Sequence, residues 1–113
     1  MIKIYHNPRC SKSRQGLAIL EEAKVSFETI KYLDNPPTRE ELVDILNKLA
    51  IKPINLIRKG EAVWKKKFEG KELNDTEIID AMVSYPKLIE RPIVITNDNA
   101  VIGRPPEQIK ILL

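Results

Sequence analysis

Short alternating or wholly apolar stretches, which read as strands, take turns along this chain with stretches whose apolar residues return at three- and four-residue steps. Ile2-Lys3-Ile4-Tyr5 alternates as a strand, and Leu17, Leu20 and Ala23 then recur like one face of a helix. Ser26-Phe27-Glu28-Thr29-Ile30-Lys31-Tyr32 alternates again and carries aromatic and β-branched residues, so a second strand is expected there. Strand, helix and strand within about thirty residues predict a right-handed parallel βαβ unit. Asp34-Asn35-Pro36-Pro37 stops the strand. Thr38 with Glu41 forms a capping box ahead of Leu42, Ile45, Leu46 and Leu49, the clearest helix of the chain. The pattern weakens from Ile51 to Leu73, where Pro53 opens a short helix through Ile54 and Ile57, and Gly60 and Gly70 bracket a piece around Trp64. Asn74 with Glu77 caps a further helix bearing Ile78, Ile79, Ala81 and Met82, which Pro86 ends. Ile93-Val94-Ile95 has the continuous apolarity of a strand buried on both faces. Ala100-Val101-Ile102 pairs with it as a hairpin across Thr96-Asn97-Asp98-Asn99, and Gly103-Arg104-Pro105-Pro106 leads into a last helix with Ile109, Leu112 and Leu113. The order is β-α-β, a helical insert at about 38–85, then β-β-α, an α/β fold with a mixed sheet flanked by helices.

Composition narrows the setting. The 113 residues suit one domain, 1–113, with a core that needs no staples. No apolar run approaches membrane-spanning length and no signal peptide precedes Met1-Ile2-Lys3, so a cytoplasmic monomer without membrane contact is expected. The net charge of +3 favours anionic ligands weakly and does not indicate nucleic acid. Lys65-Lys66-Lys67 reads as a solvated face and Trp64 as a packing residue rather than a platform for stacking bases. One histidine and one cysteine fall short of a metal site.

Those two residues lie four apart in Tyr5-His6-Asn7-Pro8-Arg9-Cys10-Ser11-Lys12-Ser13-Arg14. A free cysteine titrates near ~8.5, so only a few per cent is the attacking thiolate at neutral pH. His6, the cations Arg9, Lys12 and Arg14, and the start of the helix after Cys10 could each lower that value. At a strand-to-helix turn, unpaired backbone N–H groups can also cradle a tetrahedral oxyanion. Such a pairing of thiolate and anion cradle serves a cysteine oxyanion reductase or a cysteine phosphatase. A lone cysteine cannot close an internal disulfide, so any redox cycle draws its second thiol from outside.

The chain resembles the glutaredoxin-dependent arsenate reductase family over essentially its whole length. The resemblance is carried by His6 to Arg14, by Tyr32-Leu33-Asp34-Asn35-Pro36-Pro37, by Leu56-Ile57-Arg58-Lys59, by Pro86 to Val94, and by Ile102-Gly103-Arg104-Pro105-Pro106-Glu107. It implies a thioredoxin-like fold with Cys10 as nucleophile and His6 as the group that lowers its pKa electrostatically. It implies oxyanion binding by Arg58, Arg91 and Arg104, and a cis proline at Pro92 beside the site. Ser13 stands where thioredoxin-type proteins place a resolving cysteine, and it is expected to cap the first helix or to donate a hydrogen bond. No bound cofactor is implied; glutathione is the co-substrate and glutaredoxin the protein partner. The implied reaction is reduction of arsenate to arsenite through a Cys10–arsenate adduct. Each arginine lies at the edge of an element, and a unit pair about 5 Å apart at an effective dielectric near 20 gains roughly 3 kcal/mol before desolvation.

The loop is more basic at Arg9 and Lys12 than in the best-known members. Two other readings fit the same fold: a glutathione-linked thiol-disulfide oxidoreductase, and a non-enzymatic regulator that binds RNA polymerase. Regulators of that kind carry a Cys-x-x-Cys switch, whereas this chain has Cys10-Ser11-Lys12-Ser13.

Overall fold

A computed structural model describes residues 1–113, in two compact units: Met1–Asn35 with Arg91–Leu113, and Pro36–Glu90. The first unit holds the sheet. Strand β1 (Ile2–His6) pairs in parallel with β2 (Phe27–Lys31) across helix α1 (Ser11–Glu22), the expected βαβ unit. Strand β3 (Ile93–Ile95) pairs antiparallel with the other edge of β1 and turns through Thr96–Asn99 into β4 (Ala100–Ile102), which gives a thioredoxin-like sheet of order β2-β1-β3-β4. Thr96 fastens that turn: its N–H donates to the Asn99 carbonyl at 2.8 Å and its Oγ1 accepts from Asn99 N–H at 3.0 Å.

Side chains alternate across a strand, so Ile2, Ile4 and His6 share one face of β1. On that face Ile4, Leu20, Val94 and Ile109 are fully buried, with Leu17, Phe27, Val101 and Leu112 packed around them. Full burial of one such side chain contributes roughly 1.5–3 kcal/mol. Ala23 is exposed and ends α1 as its C-cap, so the buried stripe of the helix runs instead through Ser13, Gly16 and Leu20. The chain closes on a 3-10 helix, Pro106–Leu112, where an α-helical turn was the simpler expectation. Three residues per turn put Pro106, Ile109 and Leu112 in one row facing inward, and Leu113 falls outside it, half exposed.

Helical elements fill the second unit: α2 (Arg39–Leu49), a 3-10 turn at Pro53–Leu56, α3 (Ala62–Lys67), α4 (Asp75–Ser84) and a 3-10 turn at Pro86–Leu88. Both expected capping boxes form, Thr38 with Glu41 and Asn74 with Glu77. Leu42, Ile45, Leu56, Met82 and Leu88 make its core, and an antiparallel bridge between Ile57 and Ile89 joins the residues that follow its two 3-10 turns. Trp64 is buried and stacks on Phe68, while Lys65, Lys66 and Lys67 are exposed. No helix is long and apolar enough to cross a membrane.

Candidate active site

Cys10 is the N-cap of α1, with extended backbone (φ −96°, ψ 122°) and no side-chain cap of its own. The loop before it is tied at every residue. Cys10 N–H donates to the Asn7 carbonyl at 3.0 Å, Asn7 Oδ1 accepts from Arg9 N–H at 3.0 Å, and Arg14 Nη1 donates to the Pro8 carbonyl at 2.9 Å. Asn7 N–H donates to Ser13 Oγ at 2.9 Å. The loop is therefore held from the helix it opens, through two side chains each six positions on.

Ser13 does not cap α1. It lies one turn inside the helix with no exposed surface, and its Oγ also meets His6 Nδ1 at 2.6 Å. The meeting follows from strand parity, because His6 is on the face of β1 that α1 covers. Burial first, then the charge of Lys31 and that of Arg14, hold the His6 imidazole below its ordinary 6.5 against an opposing pull from Ser13. The imidazole meets the nucleophile's loop through Ser13, and its lowered pKa works against a charged ring at neutral pH.

The charge at Cys10 comes from elsewhere. Burial pushes the thiol up, but a hydrogen bond from the Arg91 guanidinium, the Ser13 N–H, the charge of Arg91 and the Lys12 N–H together pull it below its ordinary value. Arg104 Nη2 stands 3.4 Å from Cys10 Sγ, and its Nε donates to the Arg91 carbonyl at 2.7 Å. Arg104 thus fastens the two cationic segments together at the sulfur. Lys12 contributes a backbone N–H, and Arg9 is exposed. Arg58 belongs to the second unit, where Nη1 meets Glu90 Oε1 at 2.8 Å and Nε lies 3.6 Å from Glu61 Oε2.

Arg91 and Arg104 each precede a cis peptide bond, at Pro92 and at Pro105, the second without any signal in the sequence reading. Two glycines press on Pro92 and explain themselves by close approach. A Cβ at Gly16 would fall 2.8 Å from Ile109 Cδ1 and 3.0 Å from Pro92 Cγ; one at Gly103 would fall 2.8 Å from Pro92 Cγ and 3.0 Å from Ile109 Cδ1. Gly103 N–H also donates to the Pro92 carbonyl at 2.8 Å. Asn7 and Gly103 stand in the motifs that carry the resemblance but had no role of their own expected; for Gly16 the available signal was a glycine in mid-helix, about 1 kcal/mol worse there than alanine.

A single thiol with its charge stabilised at a helix start, on a four-stranded thioredoxin-like sheet, defines a thioredoxin-fold protein that works with one cysteine. Residues 5–112 match the ArsC family, and the chain belongs to that family. It is 43% identical to an arsenate reductase of Neisseria meningitidis over 114 residues, covering 99% of this chain and 97% of the relative. It is 46% identical over 110 residues to YfgD of Escherichia coli, a protein whose name states no activity, covering 96% and 92% of the two chains. The solved structure of an arsenate reductase from Vibrio cholerae superposes with a TM-score of 0.94 at 43% identity, covering 99% of this chain and 97% of that one.

Proposed function

We propose that the protein reduces arsenate to arsenite, with Cys10 as nucleophile and glutathione and glutaredoxin as the source of electrons. The observation that carries this reading is the stabilised thiolate: Arg91, Arg104 and the Lys12 and Ser13 N–H groups all address one sulfur. Those same groups suit an oxyanion arriving at that sulfur, since guanidinium forks match its oxygens and two arginines match its charge. Cys10 thiolate attacks arsenic, an S–As bond forms, and an arsenic-bound oxygen leaves as water. Glutathione then forms a second S–As bond, displacing another oxygen as water. The glutaredoxin thiolate then attacks the glutathione sulfur, the S–As bond to glutathione breaks with its electron pair left on arsenic as As(III), and the two external thiols end as one disulfide. Water displaces Cys10 from arsenic and releases arsenite with the free thiol. Ser13 in place of a second cysteine agrees with a reductant from outside the chain. Arg58 enters the reading through the motif in which it stands.

The test is NADPH oxidation with arsenate, glutathione, glutaredoxin and glutathione reductase, beside Cys10→Ser and an arsenate-free control. Turnover that requires both arsenate and Cys10 is expected. Turnover that survives Cys10→Ser overturns the proposal; silence with an active glutaredoxin overturns it too, and moves the weight to a glutathione-linked thiol-disulfide exchange at Cys10.

A further inference from the structure

The loop before Cys10 has a second flank that the reaction just described leaves unused. A cleft of about 320 Å³ opens there, lined by His6, Asn7, Pro8 and Arg9 from the end of β1 and its loop and by Lys31, Leu33 and Asp34 from the end of β2. The register of β1 and β2 sets His6 opposite Lys31, so the cleft lies past the carboxyl ends of two parallel strands, the usual place for a ligand on such a sheet. Arg9, Lys31 and Asp34 are exposed, and none of the chain's ion pairs uses them. Leu33, 38% exposed, is one of the few large apolar side chains left at the surface. Two cations, one carboxylate and an apolar strip in one small cleft call for a ligand with two carboxylates, one ammonium and a short methylene chain.

Glutathione has that composition: a γ-glutamyl carboxylate and ammonium, two methylenes, and a glycine carboxylate. We infer that this cleft binds the peptide part of glutathione, which rests on the reductase reading for its role but not for its chemistry. The carboxylates face Arg9 and Lys31, the ammonium faces Asp34, and the glutamyl methylenes lie against Leu33 and Pro8. Arg9 is the chain neighbour of Cys10, with Cα atoms about 3.8 Å apart. The thiol, on the middle residue of the tripeptide, is then carried over the rim of the cleft towards arsenic on Cys10. Its sulfur forms the S–As bond, its proton leaves with the displaced oxygen as water, and arsenic stays As(V) in that step.

Binding is read without turnover by titrating S-methylglutathione into ¹⁵N-labelled protein, and function by the KM for glutathione at saturating arsenate. Amide shifts at Arg9, Lys31, Leu33 and Asp34 are expected. Lys31→Gln raises the KM for glutathione by about tenfold, the loss of one ionic contact, and moves the KM for arsenate far less. Asp34→Asn removes the wild-type preference for glutathione over its des-amino analogue, a change that a merely structural role of Asp34 would not produce. Arsenate turnover with no shifts in the cleft, or an undiminished preference in Asp34→Asn, overturns the assignment. Shifts in the cleft without arsenate turnover uphold it and sink the reductase reading alone.

Discussion

The division of labour between Arg91 and His6 is decided by a few atoms. Arg91 acts on Cys10 directly, by hydrogen bond and by charge, whereas His6 has its pKa pulled down by burial and spends its Nδ1 on Ser13. Arg91→Gln is therefore expected to raise the Cys10 pKa more than His6→Gln does. The pH profile of iodoacetamide alkylation measures both, and a larger shift from His6→Gln would return the electrostatic role to the histidine. His6 has its own signature in stability. Burial, aided by Lys31, lowers its folded-state pKa below 6.5, so the unfolded chain takes up a proton at higher pH than the folded one. The contribution of the neutral ring is full above pH 6.5 and is lost as pH falls through the folded-state value. Urea midpoints at about pH 7.5 and pH 5 should accordingly drop further in wild type than in His6→Gln. Spacing from Cys10 singled out His6 and the family motif named Arg91, but neither could say which group acts on the sulfur by charge, because that depends on burial.

At the scale of elements, local signals were read well and packed ones poorly. The capping boxes of α2 and α4 need only residues three apart and were legible before any fold was known. The role of Ser13 was not, because its partners His6 and Asn7 are met only when α1 lies on β1. The same holds for Gly16. Alanine there improves helix propensity by about 1 kcal/mol, yet its Cβ meets Ile109 Cδ1 at 2.8 Å and the ring of Pro92 at 3.0 Å. Overpacking costs typically about 1–3 kcal/mol, so Gly16→Ala should lower the thermal midpoint. Ile109→Val removes the Cδ1 atom, and combined with Gly16→Ala it should recover part of that loss. A rise in midpoint for Gly16→Ala alone would show that Ile109 moves aside freely.

For the molecule as a whole, the count of thiols sets the chemistry. One cysteine in 113 residues means that oxidation by glutathione disulfide must stop at a single mixed disulfide at Cys10. Intact mass should show one adduct per chain, fully removed by a dithiol; a second adduct or an adduct on Cys10→Ser would contradict it. The sequence by itself determined the elements, the βαβ start and the single candidate nucleophile, since periodicity, capping spacings and residue counts are local or additive properties. It also carried the family motifs that name Arg58, Arg91 and Arg104. Only the tertiary structure decided that Arg91 and Arg104, thirteen positions apart, are laced together at a sulfur eighty and more positions earlier. It decided too that burial pulls the His6 pKa down and that two glycines close on Pro92. The reason is physical: desolvation, charge–charge distance and steric contact depend on separation in space, which chain spacing leaves open until the sheet brings β3 back beside β1.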